Sequence, residues 1–213
     1  MSSVRGVVVV AHGGREVSTA RNTAVHAAVL RMIPVASAIG QALRGRGVVV
    51  RRPRFRLRGW NGTLASPVRD LTEALDDIRA EYGPVPVVLV GHSMGARAGL
   101  RAAGHPSVTA VAGLAPWLPP GEPVDQLAGR SILLVQGTAD FVTRPADTWA
   151  YAARARAYAR VAEIEVSGGE HTMLRRAAVW HAVAAAFACA SLGVPPPPGP
   201  AADALARSER TAV

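Results

Sequence analysis

The run Pro86-Val87-Val88-Leu89-Val90 leads straight into Gly91-His92-Ser93-Met94-Gly95, and that segment leads straight into the helix-forming run Ala96-Arg97-Ala98-Gly99-Leu100-Arg101-Ala102-Ala103. A short apolar run bounded by glycine reads as a buried strand, and Ala, Leu and Arg favour helix. A tight reversal between the two closes only if the residues beside its apex are small, because strand and helix backbones come close together there. Gly91 and Gly95 meet that need, and Ser93 holds the apex, where a strained strand-to-helix turn exposes a serine hydroxyl. In this setting Ser93 reads as a nucleophile rather than as a turn former.

Short apolar runs alternate with helix-forming stretches along nearly the whole chain. Strands are predicted over residues 7–10, 48–57, 85–90, 108–114, 132–136 and 162–166, and helices over 36–43, 67–81, 94–103, 147–158 and 172–191. Strands separated by helices pair in parallel through crossovers. The pattern therefore predicts an α/β fold with a mostly parallel sheet of about six strands, flanked by helices. Ser66 suits an N-cap and Pro67 the first helical turn after it, while Glu73, Asp76 and Asp77 read as the wet face of that helix. Pro116, Pro119, Pro120 and Pro123 make residues 115–127 a rigid connection too short for a cap domain. A chain of 213 residues, 49% of them hydrophobic, can bury one substantial core. That domain is assigned to residues 1–194. Residues 195–213 open with four consecutive prolines, have little to bury, and read as a linker and a disordered C-terminal tail.

The N-terminus, Met1-Ser2-Ser3 onward, has an apolar run too short for a signal peptide and no small-residue cleavage site after it. The longest apolar segment, residues 177–192, contains Trp180 and His181 and falls short of the roughly 20 residues of a spanning helix. It reads as a core helix. Cys189, the only cysteine, lies within it and reads as a buried, inert thiol. A cytoplasmic protein with no membrane partner is expected. The net charge of +9 comes entirely from arginine on the basic side, since lysine is absent. In Arg54-Phe55-Arg56-Leu57-Arg58 charge alternates with apolar residues, as in an edge strand protected by its charges and by Pro53. With little aromatic interleaving and no binding motif, nucleic acid is disfavoured as a partner, although the arginine cluster leaves an anion-binding reading open.

A serine nucleophile needs a base, and the base needs an orienting acid. Asp140 follows the predicted strand 132–136 in Gly137-Thr138-Ala139-Asp140, and His171 follows the last predicted strand in Gly168-Gly169-Glu170-His171. Loops after parallel strands gather at the carboxyl edge of the sheet, so Ser93, Asp140 and His171 can converge there. Their order along the chain is the serine, acid, histidine order associated with such a turn. Asp140 has a rival reading as a helix N-cap, and Asp147 is a rival acid that fits better in the first turn of a helix. His92 packs beneath the turn, and His26, His105 and His181 lack a motif. No histidine pair or cysteine cluster has metal-ligand spacing, so neither a metal nor a cofactor is expected. Trp60 and Trp117 are candidate walls of a substrate pocket, with core packing as the alternative.

These motifs carry a resemblance. Together with His12-Gly13-Gly14 after the first strand, they are similar to those of the α/β-hydrolase fold, and the chain resembles its small, lid-less, esterase-like and dienelactone-hydrolase-like members from about residue 7 to 192. It departs from dienelactone hydrolases proper in having serine rather than cysteine, and from the wider family in lacking the first two antiparallel strands. The resemblance implies an oxyanion hole formed by the Met94 N–H and a second donor from the His-Gly-Gly loop. Gly14 is the leading candidate for that donor, with Gly13 and Arg15 as alternatives, and His12 supports the loop. It also implies hydrolysis of carboxylic esters or related small acyl substrates through an acyl-enzyme. Acyl transfer, thioester cleavage, peptide hydrolysis and non-catalytic ligand binding on the same fold stay open as alternatives.

Overall fold

The computed structural model describes residues 4–206 and 210–213. The extreme N-terminus read above for a leader (residues 1–3) and residues 207–209 of the tail lie outside the described residues. Seven strands form one sheet: β1 (Gly6–Ala11), β2 (Val48–Arg51), β3 (Val87–His92), β4 (Val108–Leu114), β5 (Ser131–Gly137), β6 (Arg160–Val166) and β7 (Thr211–Ala212). Their spatial order is β2-β1-β3-β4-β5-β6-β7, and every pairing is parallel. The helices are α1 (Ala27–Leu30), α2 (Met32–Ala42), α3 (Ser66–Tyr82), α4 (Met94–Arg101), α5 (Pro145–Ala155), α6 (Ala177–Ser191) and α7 (Pro200–Leu205).

The strand residues divide by the period of two. Val8, Val10, Val88, Val90, Leu133 and Val135 face α2 and α6, while Val7, Val9, Leu89, Val111, Ile132 and Leu134 face the layer of α3, α4 and α5. A sheet covered on both faces explains why its strands are continuous apolar runs rather than alternating ones. The turns after β1, β3, β5 and β6 consequently emerge on one edge, which carries all the motif residues. No cap domain is inserted between strands among the described residues.

Two expectations need correction. The predicted strand 48–57 ends at Arg51. Beyond it the chain leaves the sheet, and only Leu57 and Gly59 make isolated bridges, to Arg21 and Arg15. The alternation was real, with Phe55 buried and Arg54 and Arg56 exposed. Phe55, however, packs beneath the His12 ring instead of facing a neighbouring strand, and Pro53 interrupts the ladder. The second correction concerns residues 195–213, expected to be a disordered tail. They carry α7 and the seventh strand, one more than the six expected. Ala204 packs into the α2–α6 core, Val213 exchanges backbone hydrogen bonds with Ser167 and Glu165, and Arg210 pairs with the buried Glu163 at 2.6 Å. Glu163 also pairs with Arg156 at 2.5 Å, so the tail is held by a charge anchored in β6. Because that anchor is a long-range contact, the tail's own composition did not reveal it.

Candidate active site

Ser93 has φ 52° and ψ −116°, a region that non-glycine residues avoid at a cost of about 1–3 kcal/mol. The surroundings enforce it. A Cβ on Gly91 would lie 2.4 Å from the Gly95 carbonyl oxygen, and one on Gly95 would lie 2.5 Å from that of His12. No side chain fits at either place, so strand β3, the turn and helix α4 are locked together around Ser93.

Ser93, His171 and Asp140 form one chain of hydrogen bonds. The Asp140 carboxylate only accepts, so His171 donates to it from Nδ1 at 2.9 Å, and His171 Nε2 is left to accept from the Ser93 hydroxyl at 3.1 Å. Asp140 side-chain Oδ2 also accepts from Gln136 Nε2 at 2.8 Å and from the Thr143 hydroxyl at 2.8 Å. Its Oδ1 accepts from the backbone N–H of Val142 at 2.8 Å and of Thr143 at 2.9 Å. Burial alone would raise the Asp140 pKa. The hydrogen bonds from His171 and Thr143 outweigh it and bring the carboxyl down to about 2, so it is ionised at any working pH. Asp147 lies in the first turn of α5 instead, beside Arg144.

The acid and base loops are stitched to each other. Ala139 N–H donates to the Gly169 carbonyl at 2.9 Å, and Gly168 N–H to the Thr138 hydroxyl at 2.9 Å. A Cβ on Gly137 would meet the Gly169 oxygen at 2.3 Å, which explains the glycine. His92 braces the base from below, donating from Nε2 to the His171 carbonyl at 2.8 Å with the two rings 4.9 Å apart. Its Nδ1 has no partner among the described residues, so burial, with the nearby His171 and Arg31 adding to it, pushes the His92 pKa down to about 3 and keeps the ring neutral.

On the opposite side, the loop after β1 is fixed by His12. Phe55 N–H donates to His12 Nε2 at 3.1 Å, which leaves Nδ1–H to donate to the Gly13 carbonyl at 2.7 Å. Both ring nitrogens are thereby committed, and burial lowers the His12 pKa. Arg15 N–H is committed as well, to the Arg58 carbonyl at 2.8 Å. The N–H of Gly14 has no acceptor among the described residues, and that of Met94 opens α4, where helical N–H groups have no partner within the helix. Gly14 allows no side chain, since a Cβ would fall 2.5 Å from the Arg58 carbonyl oxygen.

A cavity of about 340 Å³ lies in front of Ser93, lined by Gly13, Gly14, Glu16, Ala28, Arg31, His92, Trp117, Val142, Thr143 and His171. Trp117 forms part of its wall. Trp60 does not; it is buried behind Trp117, edge-on at 6.1 Å, in the α3–α4 core. The Arg97 guanidinium lies against both indoles, 3.8 Å from the Trp60 ring centre and 4.3 Å from that of Trp117. Arg97 and Arg101 both bind the buried Glu122, at 2.5 Å and 2.7 Å. No group of three or more His, Cys, Asp or Glu side chains among the described residues converges to hold a metal. No helix among them is long and apolar enough to cross a membrane.

Sequence reasoning missed Gln136, Thr143, Arg31 and the Arg97–Glu122 pair. A polar Gln136 closing the apolar run 132–135 was the one available signal; the others are long-range contacts.

A parallel sheet, a strained serine after its third strand and a histidine and aspartate on neighbouring edge loops define a class of hydrolase architecture. Residues 8–213 match the alpha/beta hydrolase family. The chain belongs to that family. No curated protein matches the sequence. Among solved structures it is similar to an alpha-beta serine hydrolase homologue from Coxiella burnetii, with a TM-score of 0.64 and 19% identity over 87% of this chain and 86% of that one. It is also similar to a serine hydrolase without lid from Xanthomonas campestris, with a TM-score of 0.60 and 20% identity over 92% and 86%. A third is Est1E from Butyrivibrio proteoclasticus, with a TM-score of 0.62 and 12% identity over 90% and 89%. At these identities the likeness is one of fold: a single-domain, lid-less α/β-hydrolase.

Proposed function

We propose that the protein is a serine hydrolase that cleaves carboxylic esters or related small acyl substrates. The carrying observation is the continuous hydrogen-bond chain from the Ser93 hydroxyl through His171 to an ionised Asp140. Ser93 Oγ attacks the acyl carbonyl as its proton passes to His171 Nε2. The imidazolium so formed is stabilised by Asp140, whose four further hydrogen bonds prevent it from rotating away. Negative charge develops on the carbonyl oxygen, and the free N–H groups of Met94 and Gly14 are the donors for it. Each such donor contributes on the order of 10²–10³ in rate in a preorganised site. His171 then protonates the departing alcohol. Water, deprotonated by the same nitrogen, attacks the acyl-enzyme, and the acid leaves with Ser93 restored.

His12 and His92 act on geometry rather than on protons, because each has its ring nitrogens engaged or buried. Small p-nitrophenyl esters should be turned over, and a fluorophosphonate probe should label the protein once. Ser93→Ala should abolish both. Labelling that persists in Ser93→Ala would remove Ser93 as the nucleophile.

A further inference from the structure

Two charged side chains line the cavity in front of Ser93. Glu16 is exposed, where water and salt screen it. Arg31, at the junction of α1 and α2, is partly buried. Its guanidinium has no hydrogen bond or ion pair among the described residues, and Glu16 is not paired with it. The other arginines that are buried or partly buried have acceptors: Arg97 binds Glu122, Arg51 binds Glu81, and Arg58 and Arg130 donate to backbone carbonyls. An unpaired guanidinium lining the cavity is free to bond an anionic group that enters it. The remaining titratable groups facing the cavity, His92 and His171, are imidazoles and offer it no negative charge; the Nδ1–H of His171 is engaged in its hydrogen bond to Asp140.

We infer that Arg31 receives a carboxylate carried by the substrate, so that the preferred substrates are esters bearing a free carboxylate a few carbons from the scissile carbonyl, such as half-esters of short dicarboxylic acids. The inference rests on the serine-hydrolase reading above and names its substrate class. The planar fork of arginine matches a carboxylate bidentately. A cavity of about 340 Å³ has room for a short acyl arm such as a glutaryl group beside Ser93.

The test compares kcat/KM for the mono-p-nitrophenyl ester of glutaric acid with that for p-nitrophenyl pentanoate and for butyrylthiocholine, each corrected for its enzyme-free rate. A hydrogen bond to a charged group corresponds to roughly a 10- to 100-fold preference for the glutarate ester over the neutral one. Arg31→Gln should collapse that ratio towards one, Arg31→Lys should restore part of it, and high salt should lower it in the unsubstituted protein. Fluorophosphonate labelling of Ser93 reports separately whether the catalytic serine is competent in each variant. Labelling with equal rates on the neutral and anionic esters, or with a preference for the cationic ester, overturns the role of Arg31 and leaves the hydrolase reading intact. Absence of both labelling and ester turnover overturns the two together.

Discussion

His92 should make the fold acid-sensitive in a way that one substitution removes. The ring is 2% exposed, its Nε2–H is spent on the His171 carbonyl, and Nδ1 faces no acceptor among the described residues. A second proton would place a charge in that buried site, so the folded-state pKa falls from the usual 6.5 to about 3. In the unfolded chain the same histidine takes up its proton near 6.5. Between those two values the unfolded state therefore binds the extra proton and the folded state does not. Stability is complete above about pH 6.5 and declines as the pH falls, by about 1.4 kcal/mol per pH unit from this one group. By about pH 4 the loss amounts to about 3 kcal/mol, a large share of the 5–15 kcal/mol typical of a folded domain.

His12, lowered by the same cause, adds to the slope in the same direction. Asp140 is separable from both. Its depressed pKa contributes stability above its unfolded value of 3.8 that is lost only as the pH falls from there towards about 2, below the window in question. His92→Gln keeps an amide nitrogen near the place of Nε2 and cannot titrate. Urea unfolding of both proteins at a series of pH values from about 7 to 4 should show the slope of unfolding free energy against pH reduced by close to one proton in the variant. An unchanged slope would mean that His92 does not remain neutral in the folded state, and the account of how it supports the His171 carbonyl would fail with it.

Glu122→Ala leaves Arg97 a buried cation with no counter-ion, which costs about 3–5 kcal/mol, or a fall in Tm of roughly 10 °C, by thermal unfolding. Arg101→Ala removes the more exposed partner and should cost about 1 kcal/mol; a loss as large as that of Glu122→Ala would contradict the assignment of the buried pair to Arg97. Arg210→Ala removes one of the two arginines on Glu163 and the stacking of Arg210 on Trp149, so residues 195–213 should exchange amide hydrogens and be cut by protease sooner than the rest of the fold. Equal protection of that segment in both proteins would count against its anchoring through Glu163.

What could be read in advance was whatever backbone sterics force locally. The strand-to-helix turn at Ser93 tolerates only glycine at Gly91 and Gly95, as the distances from an added Cβ show, and glycine at a fixed offset from a serine is visible in the chain itself. The parallel sheet was legible for a similar reason: burial on both faces writes itself as unbroken apolar runs such as Val87-Val88-Leu89-Val90. The carboxyl edge then follows from parallelism alone, and with it the meeting of the loops that carry Asp140 and His171.

The missed features are those whose meaning depends on a distant residue. Phe55 and its flanking arginines have the period of a strand, yet Phe55 is claimed by His12, more than 40 residues earlier in the chain. Arg210 looks like any polar tail residue until Glu163 in β6 is placed beside it. Trp60 and Trp117 are alike in sequence and differ in role because the fold sets Trp117 against the cavity and Trp60 behind it in the core, edge-on to each other with Arg97 against both rings. Arg31 was hidden among 24 arginines. It becomes informative only when the other buried or partly buried arginines are seen to have found carboxylates or backbone carbonyls and Arg31, among the described residues, has not, a distinction that no count or spacing of residues contains. Chemistry required of the chain's own backbone is therefore legible early in such a protein, and substrate preference, which depends on which charges the fold leaves unanswered, becomes legible only with the structure.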